Sequence, residues 1–432
     1  MVNLMLRIKF NSKQLLKERR DRVEKVYQNK RPDRVPFSFF PDAVLTANYA
    51  SYTVAEATTN YEVMYKVGLK WLEDFNVDGI DTPPFGLFNL TIGMPVLPFV
   101  LMDYIPGPFT ILLTGNTHRI LKDRVSRWPS AELPPNHHPQ YIGGKFIEVE
   151  EYRKLAKDPI GFMAEVIVPR MFEALSKPSS PEAYATLIKL GEDMTRFNDI
   201  MMRISVETVN RGWPMFPMGF GYAPLDFIAD GLRHPTHTML DLRRHPEEIH
   251  IAIDALIPIL VKLLRSTTPR PEDAEKVFGT RVVLVFFALH LNEMLPPKLF
   301  EEFYWPGLKR LLLEAHNIDA IPSVFFEGDF TPFVHYLLEL PKGSIFAWFE
   351  RADIRQVRRI LGDHLPIGAG ISPSLYIYAS KEKIQEEICK LLNDVKEPGG
   401  FMMMGGGAPL PQSTKIENIW AAVEAVKKCG IY

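Results

Sequence analysis

The sequence predicts an α/β protein, specifically a (β/α)8 TIM barrel with an N-terminal helix. Three observations predict it. In the second half, five short apolar stretches are each followed by a helical pattern, the rhythm of a parallel sheet. Three earlier stretches bring the strand count to eight. No Gly-x-Gly-x-x-Gly follows the first strand, which favours a closed barrel over an open nucleotide-binding sheet.

Residues 12–30 are rich in charge and read as a helix capped near Asn11 or Ser12, ended by Arg31-Pro-Asp-Arg-Val-Pro36. Pro36–Pro41 is the first strand. Residues 54–75 repeat apolar side chains at helical spacing (Val63, Val67, Trp71, Phe75), and Val77–Thr82 is the second strand, carrying Asp81 near its end. From 83 to about 150 the alternation stops. This Pro-rich, aromatic stretch holds His137-His138 and Gly143-Gly144, and it reads as a long insertion or lid after the second strand. Helical patterns resume at 148–177 and 181–211, and Trp213–Gly219 is strand-like. Helices follow at 225–232, 236–243 and 246–266. The regular βα units then pair Arg281–Phe287 with Pro296–His316, Ser323–Gly328 with Thr331–Leu340, and Ser344–Glu350 with Asp353–Leu361. The last two pair Pro366–Ser372 with Ser380–Asp394, and Gly400–Gly406 with Thr414–Cys429.

The chain has 432 residues, and no clean boundary divides it, so one barrel domain over 1–432 is expected. A net charge of -2 gives no electrostatic case for nucleic acid or an anionic membrane. Gly93–Leu113 is apolar, but Pro95, Pro98, Pro106, Pro108 and Asp103 interrupt it, so it reads as a pocket lining or an oligomer contact. Cys389 and Cys429 lie in helical patterns without a neighbouring Cys or His. They are expected to be buried thiols in a reducing compartment, and with no apolar leader at the N-terminus the expected location is cytoplasmic.

The candidate chemistry sits at predicted strand ends, where a barrel carries its loops. Ser323-Val-Phe-Phe-Glu-Gly-Asp329 is the sharpest case: an apolar strand gives way to Glu327, a turn glycine and Asp329. Glu327 reads as a general acid or base, its pKa open to desolvation among aromatics. Asp329 is a substrate contact or a helix cap. His290 follows another strand, with Asn292 close behind, and can donate a proton or ligate a metal. Asp81, Glu350 and Tyr222 end other strands and are further candidates. For Asp226 and Asp353 the helix-cap reading is favoured. His137-His138 lies in a loop, where adjacent side chains diverge.

Phe300-Glu-Glu-Phe-Tyr-Trp-Pro-Gly-Leu-Lys309, Phe326-Glu-Gly-Asp329, Leu340-Pro-Lys-Gly343, Gly399-Gly400-Phe401, Gly405-Gly-Gly-Ala-Pro and Glu417-Asn418, in this order and spacing, resemble the uroporphyrinogen decarboxylase superfamily. Arg31-Pro-Asp-Arg-Val-Pro36 resembles its opening. The resemblance implies a (β/α)8 barrel and either of two chemistries, porphyrinogen decarboxylation or methyl transfer with a corrinoid or a thiol. Phe39-Phe40-Pro41-Asp42-Ala43 stands where the decarboxylases carry an arginine-rich segment. Phe325-Phe326-Glu327 stands where the zinc branch carries His-x-Cys, and Gly405-Gly406-Gly407 where it carries a later Cys. The standard zinc ligands are therefore absent, and Glu327 with His290 would offer only two hard donors to a metal.

The leading expectation is a methyltransferase that moves a methyl group between a small methylated, apolar or aromatic substrate and a corrinoid protein. Cobalamin would ride on that partner. Glu327, His290 and Asp81 would be catalytic, and Asp329, Asn292, Tyr222 and Glu350 would contact substrate. The alternatives are a cofactor-independent decarboxylase with Asp81 stabilising the protonated intermediate, and a non-catalytic binding barrel. Barrels of this family are often dimers, so the resemblance allows a homodimer and the oligomeric state stays open.

Overall fold

The computed structural model describes residues 10–86, 90–93, 96–105 and 112–432, with side chains from Ser12 onward. Its described residues form two compact units. The first gathers those of Met1–Leu90 with Asn198–Phe216 and Ser323–Tyr432; the second holds those of Thr91–Phe197 and Pro217–Pro322.

Six parallel strands carry the fold: β1 (Met218–Phe220), β2 (Leu284–Leu289), β3 (Ile321–Phe326), β4 (Phe346–Phe349), β5 (Ile367–Ala369) and β6 (Phe401–Met403). In the first unit β4 pairs with β3 through Phe325↔Trp348 and Phe326↔Phe349, β5 pairs with β4 through Ala347↔Ile367, and β6 pairs with β5 through Phe401↔Ile367. Phe37 then bridges in parallel to Met403, and its carbonyl accepts the Asp81 N–H at 2.9 Å. In the second unit β1 pairs in parallel with β2 through Met218↔Leu284. Helices alternate with these strands, so the chain is an α/β protein of the TIM-barrel type.

Local chemistry moved several of the predicted boundaries. Pro36–Pro41 pairs only through bridges at Phe37 and Pro41, because its prolines have no N–H to give a ladder. Val77–Thr82 keeps only the Asp81 bond, since Gly79 at φ 107° turns the chain out of the extended region. Trp213–Gly219 begins as a strand only at Met218, after Pro214 and Pro217. Thr331–Glu339 winds as a tight 3-10 helix rather than an α-helix. At the N-terminus a helix runs Phe10–Tyr27, so Asn11 and Ser12 lie within it rather than capping it.

In the predicted insertion, residues 87–89, 94–95 and 106–111 lie outside the described residues, and with them much of the apolar Gly93–Leu113 stretch. The rest is more ordered than its composition suggests. Ile92–Gly93 pairs with Leu112–Leu113, and Ser126–Arg127 with Gln140–Tyr141. A polar knot holds this part together. His118 Nδ1 lies 2.6 Å from Asp123 and Nε2 lies 3.0 Å from Glu132, while Asp123 also accepts the Val125 and Ser126 N–H groups. His137 Nδ1 turns to the His138 carbonyl at 2.9 Å.

Cys389 and Cys429 are not thiols. They form a disulfide with Cα atoms 5.2 Å apart, joining helices Lys381–Val395 and Ile416–Cys429. Forty residues separate them in sequence, and only the packing of the last two helices brings them together. They therefore give no support to a reducing compartment. Among the described residues no helix is long and apolar enough to cross a membrane.

In the first unit a buried ion network ties the N-terminal helix to the first two strand positions. Asp81 is fully buried. Its Oδ1 accepts Arg22 Nη1 at 2.6 Å and Arg34 Nη2 at 3.4 Å, and its Oδ2 accepts the Phe37 N–H at 3.0 Å. Arg22 also forks onto Asp33 at 2.8 and 2.7 Å. Removing one partner strands a buried charge, so Arg22→Ala is expected to cost about 3–5 kcal/mol in denaturant unfolding. Asp33→Ala, at the exposed end, is expected to cost less than about 1 kcal/mol.

Candidate functional site

The second unit concentrates titratable groups beyond the ends of β1 and β2. Leu284–Leu289 is apolar throughout, and the chain leaves it at His290 to enter a short 3-10 turn, Asn292–Met294. Beyond β1 the chain passes Gly221 and Tyr222 into the helix Pro224–Phe227, which widens into π-type turns over Ile228–Arg233. Asp226 and Asp230 stand four residues apart, a spacing that puts both on one helix face. A second π-type segment, Phe300–Tyr304, ends at Tyr304. Such turns are rare and gather at functional sites.

Asp226 was expected to cap a helix. Instead Ala223 holds the N-cap position, and the Asp226 side chain is fully buried among donors from elsewhere. Its Oδ1 accepts the Leu291 N–H at 2.9 Å. Its Oδ2 accepts the Tyr304 hydroxyl at 2.6 Å and the His290 N–H at 3.3 Å. The backbone on which His290 stands is thus held by a carboxylate. The imidazole is held by another, with Nδ1 2.5 Å from Asp230 Oδ2. That bond fixes the tautomer and aims the ring. The His290 side chain is 38% exposed while Asp230 is 12% exposed, so the ring reaches solvent further than its anchor does. Tyr141 of the insertion donates to the Asp230 carbonyl at 2.9 Å.

Burial pushes the Asp226 carboxyl up to about 7. The facing His290 pulls it down, the Asp230 charge adds to the rise, and the Tyr304 and Leu291 donors oppose it. Burial, then the Asp230 and Asp226 charges, drive the Tyr222 hydroxyl above its usual range. Asn292 is fully buried two residues after His290.

The first unit carries the other predicted residues. Glu327 is half-buried just beyond β3. Glu350 Oε2 accepts the Gly328 N–H at 2.6 Å, which fixes the turn that bears Glu327. Asp329 is exposed and accepts the Thr331 N–H at 2.9 Å, the bond of a local turn. Asp353 caps Ile354–Leu361, as its sequence position suggested. Asp81 lies in the ion network described above. The structure thus brings His290 together with Asp226, Asp230 and Tyr304, whereas Glu327, Asp329, Glu350 and Asp81 belong to the other unit. Asp230 and Tyr141 were not foreseen from sequence. The four-residue spacing from Asp226 was the available signal for Asp230, and Tyr304 lay inside a recognised motif.

The residues do not fit the zinc of the methyltransferase branch. Phe325 and Phe326 offer no ligand atoms, Gly405–Gly407 offer no side chains, and both cysteines are consumed in the disulfide. Among the described residues no group of three His, Cys, Asp or Glu side chains is placed to hold a metal.

Over residues 201–429, more than half the chain, the sequence matches the model of the family described as uroporphyrinogen decarboxylase (URO-D). The chain belongs to the uroporphyrinogen decarboxylase family. No curated protein matches it in sequence. Among solved structures, a methyltransferase from Methanosarcina mazei shares the fold at a TM-score of 0.56 and 13% identity, over 95% of this chain and 98% of that one. In this member of the uroporphyrinogen decarboxylase family, Phe39–Ala43 holds no arginine.

Asp226 makes folding depend on pH. Its folded pKa is raised from 3.8 to about 7. Below the lower value both states are protonated. As pH rises between the two, the unfolded state ionises first, so stability is lost, and the loss is complete above the folded value. Denaturant unfolding from pH 4 to pH 7 is expected to show a falling contribution of up to about 1.4 kcal/mol per pH unit. Asp226→Asn should remove that slope.

Proposed function

We propose that this protein is a methyltransferase that exchanges a methyl group between a small methylated substrate and a corrinoid carried by a separate protein. The observation that carries the reading is the His290–Asp230 pair backed by buried Asp226, set beyond the ends of two parallel strands. The family membership and the shared fold support it. The corrinoid supplies the methyl acceptor when its protein docks. This chain's own task is to manage the proton. When the bond between the methyl carbon and its heteroatom breaks, the electron pair stays on the heteroatom, and the His290 imidazolium delivers the proton that neutralises it. The ring is recharged from solvent, which its partial exposure allows, and Asp230 stabilises the charged imidazolium meanwhile. Tyr222 and Asn292 are proposed to shape the substrate's surroundings at His290. In this reading the chain works as a single domain, with 83–150 as its insertion or lid.

The decarboxylase reading asks Asp81 to meet the substrate. Both its oxygens already accept from Arg22, Arg34 and the Phe37 N–H, and this weighs against it.

The test mixes the purified protein with a reduced corrinoid protein and a panel of methyl ethers, thioethers and amines, and follows the cobalt absorption. Methylation of the corrinoid by at least one donor is expected. His290→Gln should lower the rate about 10²–10⁴-fold. Asp230→Asn should lower it less and shift the pH profile. An unchanged cobalt spectrum across the panel, with porphyrinogen turnover in its place, would overturn the reading.

A further inference from the structure

In the first unit the strands present two aromatic faces that differ in exposure. Phe37, Phe39, Phe326 and Phe349 are fully buried; Phe39 packs on Trp71 and Phe75, and Phe326 stacks on Phe349 at 5.0 Å. Their immediate neighbours Phe40, Phe325 and Trp348 project to the opposite face, as alternation along a strand requires, and all three are half-buried. These three rings touch in series. Phe325 and Trp348 are register partners with centroids 4.3 Å apart, and Phe40 lies 5.7 Å from Trp348.

The middle ring is locked. Trp348 Nε1–H donates to the Gly407 carbonyl at 2.6 Å. Gly407 has φ 74°, and a Cβ there would lie 2.7 Å from the Glu350 carbonyl oxygen, so the backbone comes this close to β4 only as glycine. A fixed indole flanked by two phenyl rings, left partly open, differs from ordinary core packing, in which all three would be covered. Two carboxylates stand at the same strand ends, Glu327 after Phe325-Phe326 and Glu350 after Trp348-Phe349. Arg351 Nε is 3.8 Å from Glu350, and its side chain is 59% exposed. The acidic rim disfavours an anionic ring such as a benzoate.

We propose that Phe40, Trp348 and Phe325 form a stacking site for a neutral planar aromatic ring. Ring stacking favours an arene over a saturated ring of the same volume, because edge and face electrostatics add to the area buried. The Phe39–Ala43 segment, aromatic where the decarboxylases carry arginines, delivers Phe40 to this site.

Calorimetric titration of the full chain, without corrinoid, tests the site with methoxybenzene, methoxycyclohexane, 4-methoxybenzoate and choline. Methoxybenzene is expected to bind at least five-fold tighter than each of the other three. Trp348→Leu and Phe40→Leu are each expected to lower its affinity at least five-fold; should one fail to fold, as read by circular dichroism, the other carries the test. Equal binding of methoxybenzene and methoxycyclohexane, tighter binding of choline or the benzoate, or full affinity in the folded variants would overturn the proposal. Because no cobalt chemistry is read, ring binding can succeed where methyl transfer fails, and the reverse, so the two readings fall separately.

Discussion

A carboxylate removed from water must be met by donors, and in the second unit that requirement sets the geometry. Asp226 is surrounded by the N–H groups of His290 and Leu291 and by the Tyr304 hydroxyl. Each comes from a different place in the sequence from Asp226 itself. Satisfying one buried side chain therefore joins the helix after β1, the turn after β2 and the segment ending at Tyr304. The imidazole of His290 inherits its position from this arrangement, and Asp230 adds its orientation.

The two units solve the problem of buried charge differently. Asp81 is paired with Arg22 and Arg34, and its role is to tie the N-terminal helix to the first strands. Asp226 has a histidine and neutral donors in place of arginines, and burial drives its carboxyl toward the protonated form. A pair of guanidinium groups makes an inert joint, because they do not release protons near neutrality. An imidazole and a half-protonated carboxyl make a responsive one.

Much of the fold was legible because parallel strands buried on both faces are apolar runs, and Val324, Phe326, Ala347 and Phe349 show it directly in sequence. The first two strand positions were harder to place, since Pro36, Pro41 and Gly79 leave only single bridges. The position of His290 just past a strand was legible because a histidine that ends an apolar run is conspicuous. Asp226 was misread because a carboxylate in a first helical turn usually caps it; that the amides of a distant turn lie within reach is a tertiary fact. The same holds for Cys389 and Cys429, whose pairing depends on the packing of two helices rather than on spacing. Phe40, Phe325 and Trp348 could be seen in sequence as aromatics, but their difference from Phe39, Phe326 and Phe349 is one of exposure, which sequence alternation alone does not reveal.

The clamp on His290 has a further consequence. Asp226 grips the main-chain amides of residues 290 and 291 rather than any side chain. Any amino acid with a free amide hydrogen would be seated at the same point in space. The position works as a socket: evolution can exchange the reactive group there while the surrounding wall stays intact, and related barrels can diverge in chemistry by one codon.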